Sequence, residues 1–138
     1  MHEWALAEAI VYSVNEEAAR ESLQEVSQVK VKVGELQQID MDIFNLALES
    51  VLHLSKLPLD MGKMVVEIQE STLHCQICRH LWNYREALNK LPEDDVEAIH
   101  FIPEMAHIYL RCPECGSPDF NIAEEGRGVW IDSIEGVR

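Results

Sequence analysis

Four cysteines form two pairs whose spacing is suited to binding a metal ion. Each pair has two residues between its cysteines, which are Cys75 and Cys78 in the first pair and Cys112 and Cys115 in the second. This spacing lets a tight turn direct two sulfurs at one tetrahedral ion, and four thiolates are typical of structural Zn(II). Two disulfides or reduced redox pairs are the alternatives, but two matched pairs in a reducing compartment favour zinc. No cysteine is then left over as a nucleophile.

The first residues, Met1, His2 and Glu3, offer a second and different metal site. The α-amine of Met1, the backbone nitrogen of His2 and its imidazole can close two fused chelate rings and place three nitrogens in one plane. An open fourth position in that plane suits Ni(II) or Cu(II) better than Zn(II). The bulk of His2 is expected to preserve the initiator methionine. On spacing alone, however, a histidine near a terminus is most often a solvated residue on a loose end.

A histidine between the cysteine pairs is a further candidate ligand. His100 lies near Glu104 and could supply the fourth donor that the N-terminal site lacks, although a lone histidine beside Phe101 is more often simply packed. The N-terminal site is expected to bind its ion moderately, because the positive end of the following helix dipole opposes a cation by roughly 0.3–1 kcal/mol. Moderate binding fits a carrier better than a structural site.

Hydrophobic periodicity predicts an α+β fold around these sites. Helical periodicity predicts two helices, at 3–22 and at 41–54, the second capped by Asp40. Strict alternation predicts three strands, at 28–36, 63–71 and 127–134. The expected fold is a small three-stranded sheet with two helices on one face, plus an inserted zinc-ribbon-like module. We predict an α/β domain that carries the N-terminal metal site at 1–72 and 120–138, and a zinc-binding domain with an inserted segment at 73–119.

The segment between the cysteine pairs, 79–111, is longer than the usual spacing of about 15–20 residues in paired zinc motifs. It is predicted to contain a short helix at 84–91, followed by an acidic turn at 92–95. Alternation over 106–112 predicts a strand that brings Cys112 to the metal.

The composition argues against nucleic-acid and membrane partners. The 138 residues include 25 acidic and 11 basic side chains, a formal charge of −14, which repels phosphate backbones. No apolar run approaches the ~20 residues of a membrane span and no signal peptide is evident, so we expect a cytoplasmic protein. A zinc hydrolase would need an open coordination position, which four sulfurs do not leave, so we do not expect an enzyme. The alternative function is a zinc-ribbon adaptor in protein or nucleic-acid assemblies.

The chain resembles the HypA family over nearly its whole length. The resemblance rests on the opening Met-His-Glu-Trp-Ala-Leu-Ala-Glu-Ala-Ile-Val, on Val-Lys-Val-Gly-Glu-Leu at 31–36, on the two cysteine pairs, and on Gly-Val-Trp-Ile-Asp-Ser-Ile at 128–134. HypA proteins are nickel metallochaperones of hydrogenase maturation. The long segment at 79–111 is of the kind found in archaeal members.

This resemblance implies a ligand set and partners. Nickel is expected at His2 with neighbouring N-terminal groups that include Glu3, and zinc at the four cysteines, so the resemblance makes 1–72 and 120–138 the nickel-binding domain. The implied partners are a HypB-type GTPase and the large subunit of [NiFe]-hydrogenase, which receives the nickel. The oligomeric state is open between a monomer and a homodimer. The expected activity is binding and transfer of nickel, without catalysis.

Overall fold

The computed structural model describes residues 2–123 and 126–138. In chain order its helices and strands are α1 (His2–Arg20), β1 (Glu25–Gly34), α2 (Met41–Val51), β2 (Met64–Gln69), β3 (Thr72–Cys75), β4 (Leu81–Asn83), α3 (Tyr84–Asn89), α4 (Glu93–Phe101), α5 (Ala106–Tyr109), β5 (Phe120–Ile122) and β6 (Val129–Val137). Within the described residues, no helix is both long and apolar enough to cross a membrane.

The chain divides into two compact units. The first unit comprises Met1–Val33, Ile39–Ile68 and Val129–Arg138, and the second unit comprises Gly34–Gln38 and Gln69–Gly128. The second unit therefore takes in three stretches, 34–38, 69–72 and 120–128, that the sequence assigned to the domain at 1–72 and 120–138. The assignment of one unit to nickel and the other to zinc stays a prediction.

The first unit contains a three-stranded sheet in the order β2-β1-β6, with β1 antiparallel to β6. The predicted α+β class, with one small sheet and two helices, is confirmed. Buried side chains of α1, β1 and α2 form one continuous core. Its members include Ala7, Ile10, Val11, Val14 and Ala18 of α1, Val26, Val29, Val31 and Val33 of β1, and Phe44, Ala47, Leu48 and Val51 of α2.

An irregularity in β1 explains why this strand buries more valines than simple alternation allows. Val29, Val31 and Val33 are buried at every second position, as predicted. Val26 is also buried, although it lies three residues before Val29. The pairing with β6 shifts register between Val26 and Gln28, and the extra residue returns Val26 to the core-facing side.

Helix α2 begins at a side-chain cap and ends in a 3-10 turn. The carboxylate of Asp40 accepts a hydrogen bond from the N–H of Ile43 at 3.1 Å, so the predicted N-cap is confirmed. The α-helix ends at Val51 and continues as a single 3-10 turn over Leu52–Leu54, which accounts for the predicted end at 54.

The second unit has its own sheet, in the order β4-β3-β5, and its own core. The core residues are Leu73, Tyr84, Ile99, Ala106, Leu110 and Phe120. The predicted strand at 106–112 is wrong, because residues 106–109 form α5. Ala106 and Leu110 are buried one helical turn apart, whereas Ile108, which alternation would bury, is 61% exposed.

The predicted acidic turn at 92–95 is also wrong. Its acidic residues form the first turn of α4, which follows Pro92. Carboxylates are stabilised there by the positive end of the helix dipole. Proline followed by three acidic residues is therefore a helix-start signal in this chain rather than a turn signal.

The segment 34–38 is attached to the second unit by backbone contacts and by one buried carboxylate. The N–H of Gly34 donates to the carbonyl of Gly128 at 2.8 Å. The Glu35 side chain accepts from the N–H of Ser71 at 3.3 Å and from the N–H of Arg85, in the first turn of α3, at 2.5 Å. Both carboxylate oxygens of this buried residue are thereby hydrogen-bonded, as a buried charge requires.

Candidate metal centre

The second sheet positions the two cysteine pairs. Cys75 is the last residue of β3, and its register partner on β5 is Phe120. The turn through Cys78 leads back into β4, which pairs with β3 on the other side. Cys112 lies shortly after α5, and the chain turns through Cys115 before it enters β5. Short strands on both sides of β3 therefore bring the two turns to one place.

The two turns have the same backbone geometry. The N–H of Arg79 donates to the carbonyl of Cys75 at 3.1 Å, and the N–H of Gly116 donates to the carbonyl of Cys112 at 2.8 Å. Both donor residues are left-handed, with φ of 68° at Arg79 and 77° at Gly116. A second backbone hydrogen bond of 2.9 Å is also present in both turns. The N–H of Cys75 donates to the carbonyl of His80, and the N–H of Cys112 donates to the carbonyl of Ser117. Only in the second pair is this position a glycine, the residue type that usually indicates a left-handed backbone.

The four sulfurs are arranged around one point. The Sγ atoms of Cys75 and Cys115 lie 3.5 Å apart, as do those of Cys78 and Cys112, and all four lie within 4.8 Å of one another. Each short distance joins one pair to the other, and no disulfide is formed. A tetrahedral ion with metal–sulfur bonds of about 2.3 Å separates its sulfurs by about 3.8 Å. The cluster therefore fits a four-coordinate thiolate site.

Backbone donors stabilise the thiolate form of one of the four cysteines, Cys75. The N–H groups of Ile77 and Cys78 both approach the Sγ of Cys75 at 3.4 Å. The N–H of Cys78 first, and that of Ile77 with it, lower the pKa of the Cys75 thiol to about 6. Metal ligation requires thiolates, so this hydrogen bonding favours the ligand form near neutral pH. Cys75 and Cys112 are buried, whereas Cys78 and Cys115 are exposed and leave the ion a route in.

The predicted N-terminal ligands are only partly described. Met1 and the side chain of His2 lie outside the described part of the chain. Glu3 is in the first turn of α1 and is 8% exposed. Its Oε1 accepts a hydrogen bond from the N–H of Asp40 at 3.2 Å, immediately before α2. No local sequence pattern predicts this contact, because it joins residues that are far apart in the chain.

His100 lies in the last turn of α4 and is exposed. Its ring packs edge-on against that of Phe101, with centroids 5.6 Å apart. Phe101 is itself 77% exposed, so this contact does not place His100 in the core of the second unit. The role of His100 in nickel binding stays a prediction.

Comparison with known proteins identifies the family. Residues 1–136 match the family described as "Hydrogenase/urease nickel incorporation, metallochaperone, hypA". The hydrogenase maturation factor HypA of Pyrococcus furiosus is 42% identical over 134 residues, which cover 97% of this chain and 94% of that protein. The HypA of Pyrococcus horikoshii is 43% identical over 136 residues, which cover 98% of this chain and 95% of that protein.

A solved structure agrees with the fold. The solution structure of the Ni metallochaperone HypA from Helicobacter pylori is similar with a TM-score of 0.53 at 19% identity, covering 98% of this chain and 97% of that one. The family match over residues 1–136 and the two HypA relatives confirm the resemblance seen in the sequence motifs. The chain belongs to the HypA family of nickel-incorporation metallochaperones that serve hydrogenase and urease maturation.

Proposed function

We propose that this protein binds Ni(II) at its N-terminus and delivers it for assembly of the [NiFe]-hydrogenase active site. The ligands are the α-amine of Met1 and the backbone nitrogen and imidazole of His2, with Glu3 beside them. The observation that carries this proposal is the family match, which includes the Met-His-Glu sequence within residues 1–136. The family description names nickel incorporation, and these residues offer the planar nitrogen donors that Ni(II) prefers.

The start of α1 is compatible with this ligand set. The helix begins at His2, and the first four N–H groups of an α-helix have no acceptor within the helix. Coordination by the backbone nitrogen of His2 therefore breaks no helical hydrogen bond. The helix dipole disfavours a cation at this end by roughly 0.3–1 kcal/mol, which keeps the nickel releasable.

Protons compete with nickel at this site. An α-amine normally titrates at about 7.7–8.0 and an imidazole at about 6.5, and both must lose a proton to coordinate. Nickel affinity should therefore fall in mild acid. At neutral pH, release depends on a partner that offers better ligands or withdraws a donor. This function requires binding and transfer, without a catalysed reaction.

The cysteine cluster supports a structural zinc site at Cys75, Cys78, Cys112 and Cys115. Four thiolates leave no open position for substrate or water, which is the pattern of structural rather than catalytic zinc. Zinc binding at such a site contributes to folding, with apparent values of about 10–16 kcal/mol in small zinc modules. The ion would therefore stabilise the second unit and take no part in nickel transfer.

The partners we propose are a HypB-type GTPase, as the source or regulator of the nickel, and the large subunit of [NiFe]-hydrogenase, as its recipient. His100 is proposed as a fourth nickel donor. Its exposed position in the last turn of α4 leaves the imidazole accessible to an ion. The absorption spectrum of bound nickel in His100→Ala protein tests this assignment, because loss of a nitrogen donor shifts the ligand-field bands.

A nickel titration of untagged protein, with and without the GTPase, tests the proposed function. The matched control is the same protein extended by a few residues ahead of Met1, which converts the amine into an amide. Amine ligation predicts weaker binding and a changed spectrum in the extended protein. Full affinity with the same spectrum would show that the amine is not a ligand.

A further inference from the structure

The first unit contains a groove between α1 and β6. Its volume is about 510 Å³. Helix α1 contributes Leu6, Ala9, Ile10, Ser13 and Glu17, and the strand contributes the six consecutive residues 129–134. The groove begins at Leu6, about one helical turn after His2.

One wall of this groove is the free edge of a sheet. In the order β2-β1-β6, strand β6 is outermost and pairs only with β1 among the described strands. The outer edge of a nine-residue strand presents a row of backbone N–H and C=O groups, which is a template for pairing with another chain. The partly buried Ile131 and Ile134 supply apolar surface beside that row.

We propose that this groove is a docking site for an extended, basic segment of a partner protein, which adds to the sheet as a fourth strand beside β6. In this mode of recognition, main-chain hydrogen bonds supply affinity and alternate side chains supply specificity. One face of the added strand would pack on Leu6, Ala9 and Ile10 of α1, so its residues on that face are small or medium-sized apolar side chains. The residues between them point away from the groove.

The acidic residues around the groove favour a basic segment as its ligand. Glu17 and Asp132 line it, and Glu17 also lines the adjoining cavity of about 460 Å³ with Glu21 and Glu135. The basic residue in that adjoining lining is Arg138, which is paired with Glu21 at 2.9 Å. A second copy of this chain would bring the same acidic strand to the edge and be repelled. A segment that alternates Lys or Arg with Val or Ile satisfies both the charge and the apolar surface.

A peptide-binding experiment on the full-length protein tests the proposal. The probe is a fluorescently labelled Lys-Val-Lys-Val-Lys-Val peptide with blocked ends, and its controls are the Glu-for-Lys peptide and a version N-methylated at alternate residues. Ala9→Tyr fills the groove from an exposed helix position, and Ala5→Tyr is the matched control, because Ala5 is exposed on the same helix outside the groove. Hydrogen exchange of β6 amides is measured with and without the peptide.

The proposal predicts that the basic peptide binds, that it slows exchange of β6 amides, and that Ala9→Tyr weakens it at least about tenfold while Ala5→Tyr does not. The acidic and the N-methylated peptides should bind at least about tenfold more weakly. No binding to wild-type protein, equal binding of the N-methylated peptide, or equal binding to both alanine variants would overturn the proposal. Self-association that Ala9→Tyr abolishes would also overturn it, because the occupant would then be a second copy.

Discussion

The carboxylate of Glu3 accepts a hydrogen bond from the backbone N–H of Asp40 at 3.2 Å, and so links the first turn of α1 to the residue that caps α2. Glu3 follows directly after His2, and its side chain is buried. The start of α1 is therefore fixed by a packed and hydrogen-bonded residue. This gives the proposed nickel ligands a defined support on one side.

Loss of this link should destabilise the first unit. Glu3→Ala removes a charged hydrogen bond and a carboxylate at the positive end of α1, so we expect the free energy of unfolding to fall by about 1–2 kcal/mol. Glu3→Gln keeps an acceptor oxygen and should lose less. Urea unfolding of both variants measures the effect, with Glu8→Ala, exposed on the same helix, as control. Equal stability of the Glu3→Ala and Glu8→Ala proteins would contradict this role.

The cysteine cluster should bind zinc in a pH-dependent manner. The pKa of the Cys75 thiol is lowered to about 6, so its thiolate is present above that pH and is lost as the pH falls through it. Although a backbone N–H lowers it, burial and the neighbouring sulfurs raise the pKa of the Cys78 thiol to about 12, and the pKa of Cys115 is raised too, so zinc must displace protons from these groups at neutral pH. Zinc affinity of metal-free protein should therefore fall as the pH is lowered through the neutral range, and more steeply below a pH of about 6, where the Cys75 thiolate is lost as well. A competition titration against a chromophoric chelator measures this. Cys112→Ser should remove zinc and unfold the second unit, and stoichiometric zinc in that variant would refute the four-sulfur site.

Substitutions at the matched positions Arg79 and Gly116 should affect stability differently. Both have φ near 70°, where a side chain on the residue costs about 1–2 kcal/mol. A Cβ at Gly116 would meet no atom within 4 Å, so Gly116→Ala isolates the backbone effect and should destabilise the protein by about 1 kcal/mol. Arg79→Gly should leave stability unchanged or raise it slightly. Thermal unfolding of zinc-loaded protein measures both, and equal losses would count against the shared turn geometry.

Gly34 should be intolerant of any side chain for a different reason. Its φ is −67°, which any residue adopts, but a Cβ there would clash with the backbone carbonyl of Gly126. Both partners are backbone, so neither can rotate away, and Gly34→Ala should cost about 1–3 kcal/mol or more. At the exposed Gly62 the added Cβ would meet only the flexible side chain of Asp60, so Gly62→Ala should change stability by less than about 0.5 kcal/mol. Denaturant midpoints that move equally in the two variants would contradict this reading.

The elements that sequence periodicity predicted are those whose burial follows one simple period. The valines of β1 and the capped helix α2 have strong local signals, and the cysteine spacing gave the four sulfurs directly. The strand predicted at 106–112 failed because a short apolar segment fits both periods, and the burial of Ala106 and Leu110 favours the helical one. The sequence does not predict α4, because the composition of its first turn, a proline followed by acidic residues, is also typical of a loop.

Other features depend on contacts between distant residues and leave no local pattern. The bond between Glu3 and Asp40, and the two N–H groups that meet Glu35, are set by tertiary packing. Arg79 has a left-handed backbone, but arginine is not a residue type that indicates this conformation. The close approach of Gly34 to Gly126 is likewise a tertiary contact, which no local pattern predicts.

The central claim is that the imidazole of His2 holds the nickel. Calorimetric nickel titration of untagged, zinc-loaded wild-type and His2→Ala proteins tests it most directly, with His53→Ala as control because His53 is an exposed histidine in the same unit. We predict that His2→Ala lowers nickel affinity at least about a hundredfold, roughly 2.7 kcal/mol, with zinc content and unfolding midpoint unchanged. The His53→Ala protein should bind nickel like the wild type. Unchanged nickel affinity in the His2→Ala protein would contradict the account.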